Sequence, residues 1–170
     1  MSSSLLKDAF GHHIWATTRM IDVCLMLNQE QQGTVFPGTY GSIIETQRHL
    51  VGSDAWYLFC ITGDRTLLID EDRTDLRGLR SAMELTGAAW TRLLEQDLDP
   101  DDLIMEVDDD DGYEKHAPLG IRLAQALHHG SDHRSQIATT LTMLGLEPPA
   151  IDAWDFGLED GRVVEVPPTA

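Results

Sequence analysis

Apolar residues recur along the chain at the spacing of an amphipathic α-helix in four separate runs. The runs cover residues 4–28, 41–62, 75–97 and 118–144. Three connections join them, and the third is long. Four such helices predict an all-α protein built as a four-helix bundle, with a long connection between its third and fourth helices.

Residues with known helix-capping behaviour lie at several of these boundaries. Ser42 and Glu45 have the spacing of a capping box at the start of the second run, and Gly63 follows its end. Pro118 suits the first turn of the fourth run, and Gly145 can supply its C-terminal cap. The capping residues therefore support the second and fourth helices independently of the apolar spacing.

Two further segments have their own patterns. Leu103, Met105 and Val107 alternate with other residues before an Asp-Gly pair, which predicts a small β-hairpin within the long connection. The tail from residue 148 is rich in Pro and Gly but contains apolar side chains, among them Trp154 and Phe156. We expect this tail to pack back on the bundle.

The composition limits the classes of partner. The 170 residues include 29 Asp and Glu but only 12 Lys and Arg, a formal charge of −17 with all seven histidines neutral. Nucleic acids and anionic membranes are bound mainly through Lys and Arg, so neither is expected as a partner. The length and the 42% hydrophobic content predict a single folded domain over residues 1–170.

The cysteines and the N-terminal segment bear on location. Cys24 and Cys60 are too few for a disulfide framework, and both lie in apolar runs where a free cysteine behaves as a small buried hydrophobe. The first residues lack the apolar core of a secretion signal, and no stretch approaches about 18 apolar residues. We expect a cytoplasmic protein.

Two histidines of the fourth run lie on one helical face. His129 and His133 are four residues apart, so their side chains project from the same side, one turn apart. At about 100° per residue, both lie at the edge of the stripe that contains Ala126 and Ile137 and faces the core. His128 lies about 100° away and is predicted to face solvent or a partner.

His49 in the second run is the best candidate for a third ligand, because two facing helices can bring three imidazoles to one point. Three histidines with a vacant fourth position are typical of a catalytic rather than a structural zinc site. Cys60 lies about 16 Å further along the same helix, too far from His49 to bind the same ion.

The same histidines have a second interpretation. A buried histidine is commonly a hydrogen-bonded core residue, and a pair four residues apart also occurs by chance. Desolvation of two imidazoles without a compensating partner is costly, which favours a metal, but spacing alone leaves both interpretations open. His12 and His13 in the first run are expected at or near the surface.

Other kinds of site do not match the sequence. The segment HHGSDH lacks the Glu of an HExxH motif, and no Glu-x-x-His pair is present for a di-iron bundle. The acidic run at residues 108–111, followed by Gly112, does not have the spacing of an EF-hand. We expect this run to be a solvated loop.

At these residues the sequence resembles the DinB-like family, also called the DinB/YfiT-like metalloenzymes, over nearly the whole chain. The segment GHHIWATTRMID looks like the aromatic and Trp-Ala opening of that family. The second run matches its His-Leu-x-x-x-Asp-x-x-Tyr pattern at His49, Leu50, Asp54 and Tyr57. The fourth matches its His-x-x-x-His-Arg-x-Gln-Ile pattern at His129, His133, Arg134, Gln136 and Ile137.

The resemblance implies a bundle of variant up-and-down topology, usually a homodimer, that binds a divalent metal ion. The implied ligands are His49, His129 and His133. Three histidines suit zinc or nickel first, with iron or copper as alternatives. Ser135 stands where the family often has glycine after its His-Arg pair, a departure that leaves the ligands unchanged.

Three further residues at the matched positions, Asp54, Arg134 and Gln136, are candidate contacts to the ligands or to a substrate. Characterised members of the wider superfamily transfer low-molecular-weight thiols, such as bacillithiol or mycothiol, to electrophiles. The resemblance therefore implies a metal-dependent S-transferase that acts on a small-molecule electrophile. A metal-dependent hydrolase and a non-catalytic dimeric bundle that binds a metal or small ligand are the alternatives.

Overall fold

The protein is described here by a computed structural model over residues 5–107 and 112–168. The helices are α1 (Leu5–Cys24), α2 (Gln29–Gln32), α3 (Ile43–Thr62), α4 (Leu76–Leu93), α5 (Leu119–Met143) and α6 (Ala153–Glu159). A 3₁₀ turn covers Arg65–Leu67, and two strands, β1 (Leu103–Val107) and β2 (Glu114–Pro118), lie between α4 and α5.

The predicted caps are present at the ends of the long helices. The Ser42 side chain accepts from the Glu45 amide while the Glu45 carboxylate accepts from the Ser42 amide, which completes a capping box before α3. Gly63 ends that helix with φ of 74°, in the left-handed region that glycine adopts at little cost. Asp75 caps the start of α4 by accepting from the Gly78 amide.

Four long helices form the bundle in an order that differs from simple up-and-down packing. Helix α1 packs against α4 and α5, and α3 packs against the same two helices. Helices α1 and α3 therefore lie diagonally opposite each other although they are successive long helices in the chain. This confirms the predicted four-helix bundle, and it places α3 and α5, which carry the three candidate ligands, side by side.

The interior of the bundle contains two apolar clusters. Met20, Ile21 and Leu79 belong to one, and Phe10 and Trp90 belong to the other. Along α1 and α3, buried polar residues separate the residues of one cluster from those of the other. His13, Thr17 and Asp54 are each no more than 1% exposed. The bundle thus encloses a polar layer whose groups must pair with one another.

The hairpin and the tail follow their predictions. Strand β1 pairs antiparallel with β2, from Leu103 opposite Pro118 to Val107 opposite Glu114. The acidic run at residues 108–111 lies outside the described residues. Helix α6 packs on α1, where Phe156 contacts the Trp15 ring at a centroid distance of 5.8 Å, although Trp154 on the same helix is 73% exposed.

Two helices are shorter than predicted. Helix α1 ends at Cys24 rather than near residue 28, because Asn28 forms a capping box that starts α2. Helix α4 ends at Leu93 rather than near residue 97, because the Glu95 and Gln96 amides bond to carbonyls three residues back and tighten the chain into a turn.

The cysteines differ from each other. Cys24 is fully buried as predicted, whereas Cys60 is only partly buried, near the C-terminal end of α3. Burial raises the pKa of both thiols to about 11. Over residues 5–107 and 112–168, none of the helices combines the length and the apolar character needed to cross a membrane.

Candidate metal centre

Three imidazoles from two helices converge at one point of the bundle. Helix α3 presents His49, and α5 presents His129 and His133 one turn apart. The Nε2 atom of His129 lies 3.1 Å from Nε2 of His49 and 3.1 Å from Nε2 of His133. One ligand atom from each of the three residues lies within 4.8 Å of the others. The predicted trio is therefore assembled with the same ring nitrogen of each histidine turned inward.

This arrangement fits a divalent metal ion better than a hydrogen-bond network. A tetrahedral zinc ion with Zn–N bonds of about 2.05 Å requires its nitrogen ligands to be about 3.3 Å apart, close to the separations at His129. A neutral imidazole carries only one N–H, so three converging Nε2 atoms can form few hydrogen bonds among themselves. Inward-facing lone pairs from neutral rings are what such an ion binds.

Gln136 fixes the orientation and tautomer of His133. Its Oε1 accepts from the backbone amide of Tyr40 at 2.9 Å, which defines the carbonyl end of the side chain. The same oxygen lies 3.2 Å from Nδ1 of His133, so Nδ1 carries the proton and donates. Nε2 of His133 is thereby left with its lone pair free for a metal.

His49 is held between an aromatic ring and a carboxylate. The Tyr40 ring stacks on the imidazole with centroids 4.2 Å apart and planes 7° apart. On the other ring nitrogen, Nδ1 lies 3.7 Å from Oε2 of Glu71, at ion-pair distance. Glu71 lies over Gly52, where any Cβ would collide with its carboxylate. Tyr40 and Glu71 thus set the ring plane of His49.

The protonation state of the cluster favours metal binding. Burial, followed by the neighbouring His133 and His49 imidazoles, lowers the pKa of His129 to about 4. Burial and His49 also lower the pKa of His133. Both rings are therefore neutral at pH 7, as metal ligation requires. Nδ1 of His129 is buried and has no hydrogen-bond partner among the described residues.

The polar layer inside the bundle is built around a different histidine. Arg134 donates from Nη1 to Nδ1 of His13 at 3.1 Å and to Oγ1 of Thr17 at 2.9 Å. A guanidinium has no acceptor, so Nδ1 of His13 must be unprotonated, and its Nε2–H donates to Oδ2 of Asp54 at 2.7 Å. Gly130 makes room for this ring, since a Cβ there would overlap it.

Two cavities adjoin the histidine cluster on either side of Glu71. One, of about 360 Å³, is polar and is lined by His49, Tyr40, Glu45 and Arg48 among others. The second, of about 380 Å³, has a more mixed lining that includes Trp56, Tyr57 and Ile69.

None of the three histidines lines the second cavity, which is separated from the cluster by Tyr57, whose ring contacts that of His129 edge-on at 5.8 Å. Its far wall is fixed by Glu106, which accepts from Trp56 Nε1 at 2.8 Å and from Arg122 at 2.6 Å. The polar cavity therefore opens directly on His49, whereas the second cavity lies behind Tyr57 and Glu71.

A model of the DinB family matches residues 1–160. The chain belongs to the DinB family. None of the curated proteins compared with the chain matches it. Among solved structures, YfiT from Bacillus subtilis superimposes with a TM-score of 0.62 at 14% identity, over 86% of this chain and 91% of that one. YfiT is described as a probable metal-dependent hydrolase with an unusual four-helix bundle topology, and the match shows that the two chains share a fold.

Within this DinB-family bundle, the residues singled out from the sequence fall into two groups. The first group is the cluster of His49, His129 and His133, which Gln136 joins through its contact with His133. Asp54 and Arg134 instead form the polar layer, and neither has a hydrogen bond to the three histidines.

Sequence reasoning was wrong about His13, which is 1% exposed rather than near the surface. Phe10, His13, Thr17 and Met20 are spaced three or four residues apart, so the helical pattern places His13 on the core face. The prediction for His128 is confirmed, because that side chain is exposed. Tyr40 and Glu71 were missed because both lie in connections, where no periodicity indicates which side chains converge.

Proposed function

We propose that this protein binds a divalent metal ion, zinc or nickel, through His49, His129 and His133, and acts as a metal-dependent S-transferase. The observation that carries the proposal is the convergence of three Nε2 atoms beside a cavity that His49 lines, with a second cavity behind Tyr57 and Glu71. A divalent ion held there would lower the pKa of a coordinated thiol or water, and so supply a nucleophile at neutral pH.

Two cavities that share Glu71 beside the cluster favour a two-substrate reaction. The polar cavity, with Arg48, Glu45 and the stacked Tyr40, suits a hydrophilic low-molecular-weight thiol. The cavity beside Trp56 and Tyr57 suits the apolar body of a small electrophile. Glu71 lines both cavities and its side chain is part-exposed, so its rotation would bring the thiol and the carbon it attacks into contact.

Tyr57 is the side chain best placed to act on the electrophile. Burial raises its pKa above the ordinary value, so the phenol stays protonated at neutral pH. Gln125 donates to its hydroxyl oxygen at 3.4 Å, which leaves the O–H free to donate towards a departing group. A Tyr57→Phe variant is expected to lower kcat, while the metal content stays unchanged.

Metal content is the first test. We expect purified protein reconstituted with zinc or nickel to retain about one equivalent after desalting, and His129→Ala to retain less than about a tenth. His128→Ala is the matched control, because this exposed neighbour lies on the same helix and faces away from the cluster. Equal metal contents in the two variants would overturn the assigned ligand set.

Activity separates the S-transferase from its alternatives. The reconstituted protein is mixed with 1-chloro-2,4-dinitrobenzene and a panel of thiols that includes cysteine and cysteinyl-sugar conjugates. Thiol-dependent turnover that a chelator abolishes without unfolding the protein is the expected result. Chelator-sensitive cleavage of a nitrophenyl ester without any thiol would indicate the hydrolase, which the likeness to YfiT makes the second candidate.

The non-catalytic bundle makes a different prediction. It requires chelation to lower the melting temperature while no thiol or ester is turned over. The homodimer expected for the family is tested in the same samples by sedimentation, with and without metal.

A further inference from the structure

A further cavity lies away from the three histidines. It has a volume of about 550 Å³ and is enclosed by α1, α5, α6 and the segment after α6. Most of its exposed lining is apolar and comes from side chains such as Ala9, Leu127, Ala153, Phe156 and Val163. None of the three candidate ligands lines it, so it is separate from the cavities beside the cluster.

One buried cation lines this apolar cavity. Arg134 is 3% exposed, and no carboxylate among the described residues lies within ion-pair distance of it. Burial lowers its pKa to about 10, which still leaves the guanidinium charged at neutral pH. The single carboxylate in the lining, that of Asp8, is engaged 2.8 Å from Nη2 of Arg162.

The guanidinium also keeps unused donors. Of its five N–H groups, two on Nη1 bond to His13 and Thr17, and one on Nη2 bonds to the Ser131 hydroxyl at 3.2 Å. Nε and the second N–H of Nη2 make no hydrogen bond with any residue in the described ranges. Nε and Nη2 together form the edge of the guanidinium that binds carboxylates in a side-on, bidentate manner.

We propose that this cavity is a second ligand site, which binds a small molecule made of a carboxylate joined to an apolar body. The carboxylate pairs with the Nε and Nη2 edge of Arg134, and the apolar body lies against Leu127, Ala153 and Phe156. The charge of Asp54 compensates Arg134 only through the intervening His13 ring, so an anionic ligand would supply a direct partner for the buried cation. A purely apolar ligand fills the space but leaves those two donors unused.

The site is linked to the metal centre through the polar layer. Arg134 follows the candidate ligand His133 in α5, and its bond to His13 leads to Asp54 on α3. A small molecule bound in this cavity therefore contacts Arg134, which connects the two helices that carry the candidate metal-binding histidines. The proposal itself requires only binding, and it can be tested whether or not the metal-dependent reaction exists.

The test uses 4-phenylbutyrate and 4-phenylbutan-1-ol, which share a skeleton and differ in charge. Isothermal titration calorimetry is performed at pH 7.5 with chelator-treated protein, so that no metal can capture the carboxylate. We expect the carboxylate to bind at least about tenfold more tightly than the alcohol. Equal affinities, or no binding of the carboxylate, would overturn the proposal.

Variants locate the binding. Ala153→Phe adds a ring to the cavity wall at an exposed position of α6, and it is expected to weaken 4-phenylbutyrate binding by about tenfold or more. Ala88→Phe adds the same ring at an exposed position of α4 outside the cavity, and it should bind as the wild type does. Unchanged binding in Ala153→Phe would place the ligand elsewhere and refute the site.

Arg134→Gln tests the anion contact. This variant should lose the preference for the carboxylate over the alcohol while the alcohol still binds. If circular dichroism shows that the variant does not fold, the comparison of the two probes and the Ala153→Phe result still decide the matter.

Discussion

His13 and His129 both lie inside the bundle, but their ring nitrogens differ in hydrogen bonding. Both ring nitrogens of His13 are taken, one by Arg134 and the other by Asp54. The Nε2 atom of His129 instead faces two other imidazoles, and its Nδ1 has no hydrogen-bond partner among the described residues. Burial alone therefore does not identify a metal ligand. A histidine can bind a metal when one nitrogen is left with its lone pair unused.

The largest expected difference between the two regions is in stability without metal. Asp54→Asn removes the buried carboxylate that compensates the polar layer, and it leaves the Arg134 guanidinium buried without that charge. We expect a loss of about 3 kcal/mol in the free energy of unfolding, measured with urea on chelated protein. His49→Asn, in the part-exposed cluster, should cost less than about 1 kcal/mol under the same conditions. Similar losses would remove the distinction between the two regions.

Metal affinity, in contrast to stability, should depend more on the histidine cluster than on the polar layer. Gln136→Leu deletes the acceptor that holds His133 with its Nε2 lone pair free, so metal affinity is expected to fall by about 10- to 100-fold. Competition with a chromophoric chelator measures this change. Gln125→Leu on the same helix is the control, because Gln125 contacts Tyr57 and none of the three histidines. A fall of the same size in the control would show that loss of an amide on α5, rather than the contact with His133, is responsible.

Gly130→Ala tests how tightly the His13 ring is enclosed. Alanine favours a helix over glycine by about 1 kcal/mol, but here its Cβ would overlap the buried ring and approach Nη1 of Arg134 at 2.9 Å. We expect a net loss of about 1–2 kcal/mol in unfolding free energy, because a rigid buried ring cannot move aside.

Gly52→Ala is the matched substitution in α3, where the added Cβ meets the flexible end of Glu71. Its stability should change little, since that side chain can rotate away. A stabilised Gly130→Ala variant would show that the polar layer is less closely packed than the structure indicates.

Helical spacing was enough to predict the bundle and to choose His49, His129 and His133, because side-chain direction along a helix follows from residue number. The same rule, applied to α1, places His13 in the core, contrary to the prediction made for it. Spacing within one helix does not determine which helices are neighbours. The contact between Arg134 and His13, 121 residues apart, could therefore not be predicted.

The contacts made by residues in the connections were also not predicted from the sequence. Tyr40 and Glu71 approach His49 through the path of two loops. No pattern in the sequence of those loops fixes that path.

The effect most reduced by solvent screening is a pH dependence that belongs to the cluster, because the His129 side chain is only part-buried. Because the folded state lowers the pKa of His129 to about 4, against about 6.5 for an unfolded chain, the unfolded chain binds more protons between these values. Metal-free protein should therefore lose stability as the pH falls from about 6.5 to about 4, and the loss is complete below that range.

Carboxylates titrate in the same range, so the comparison must be made between variants. His129→Gln removes this contribution, and its melting temperature should fall less steeply with acid than that of the wild type. His128→Gln removes an exposed imidazole from the same helix and should follow the wild-type curve. If His129→Gln also follows it, the cluster is more open to water than its burial indicates, and the lone pairs that face one another at His129 cost the fold little.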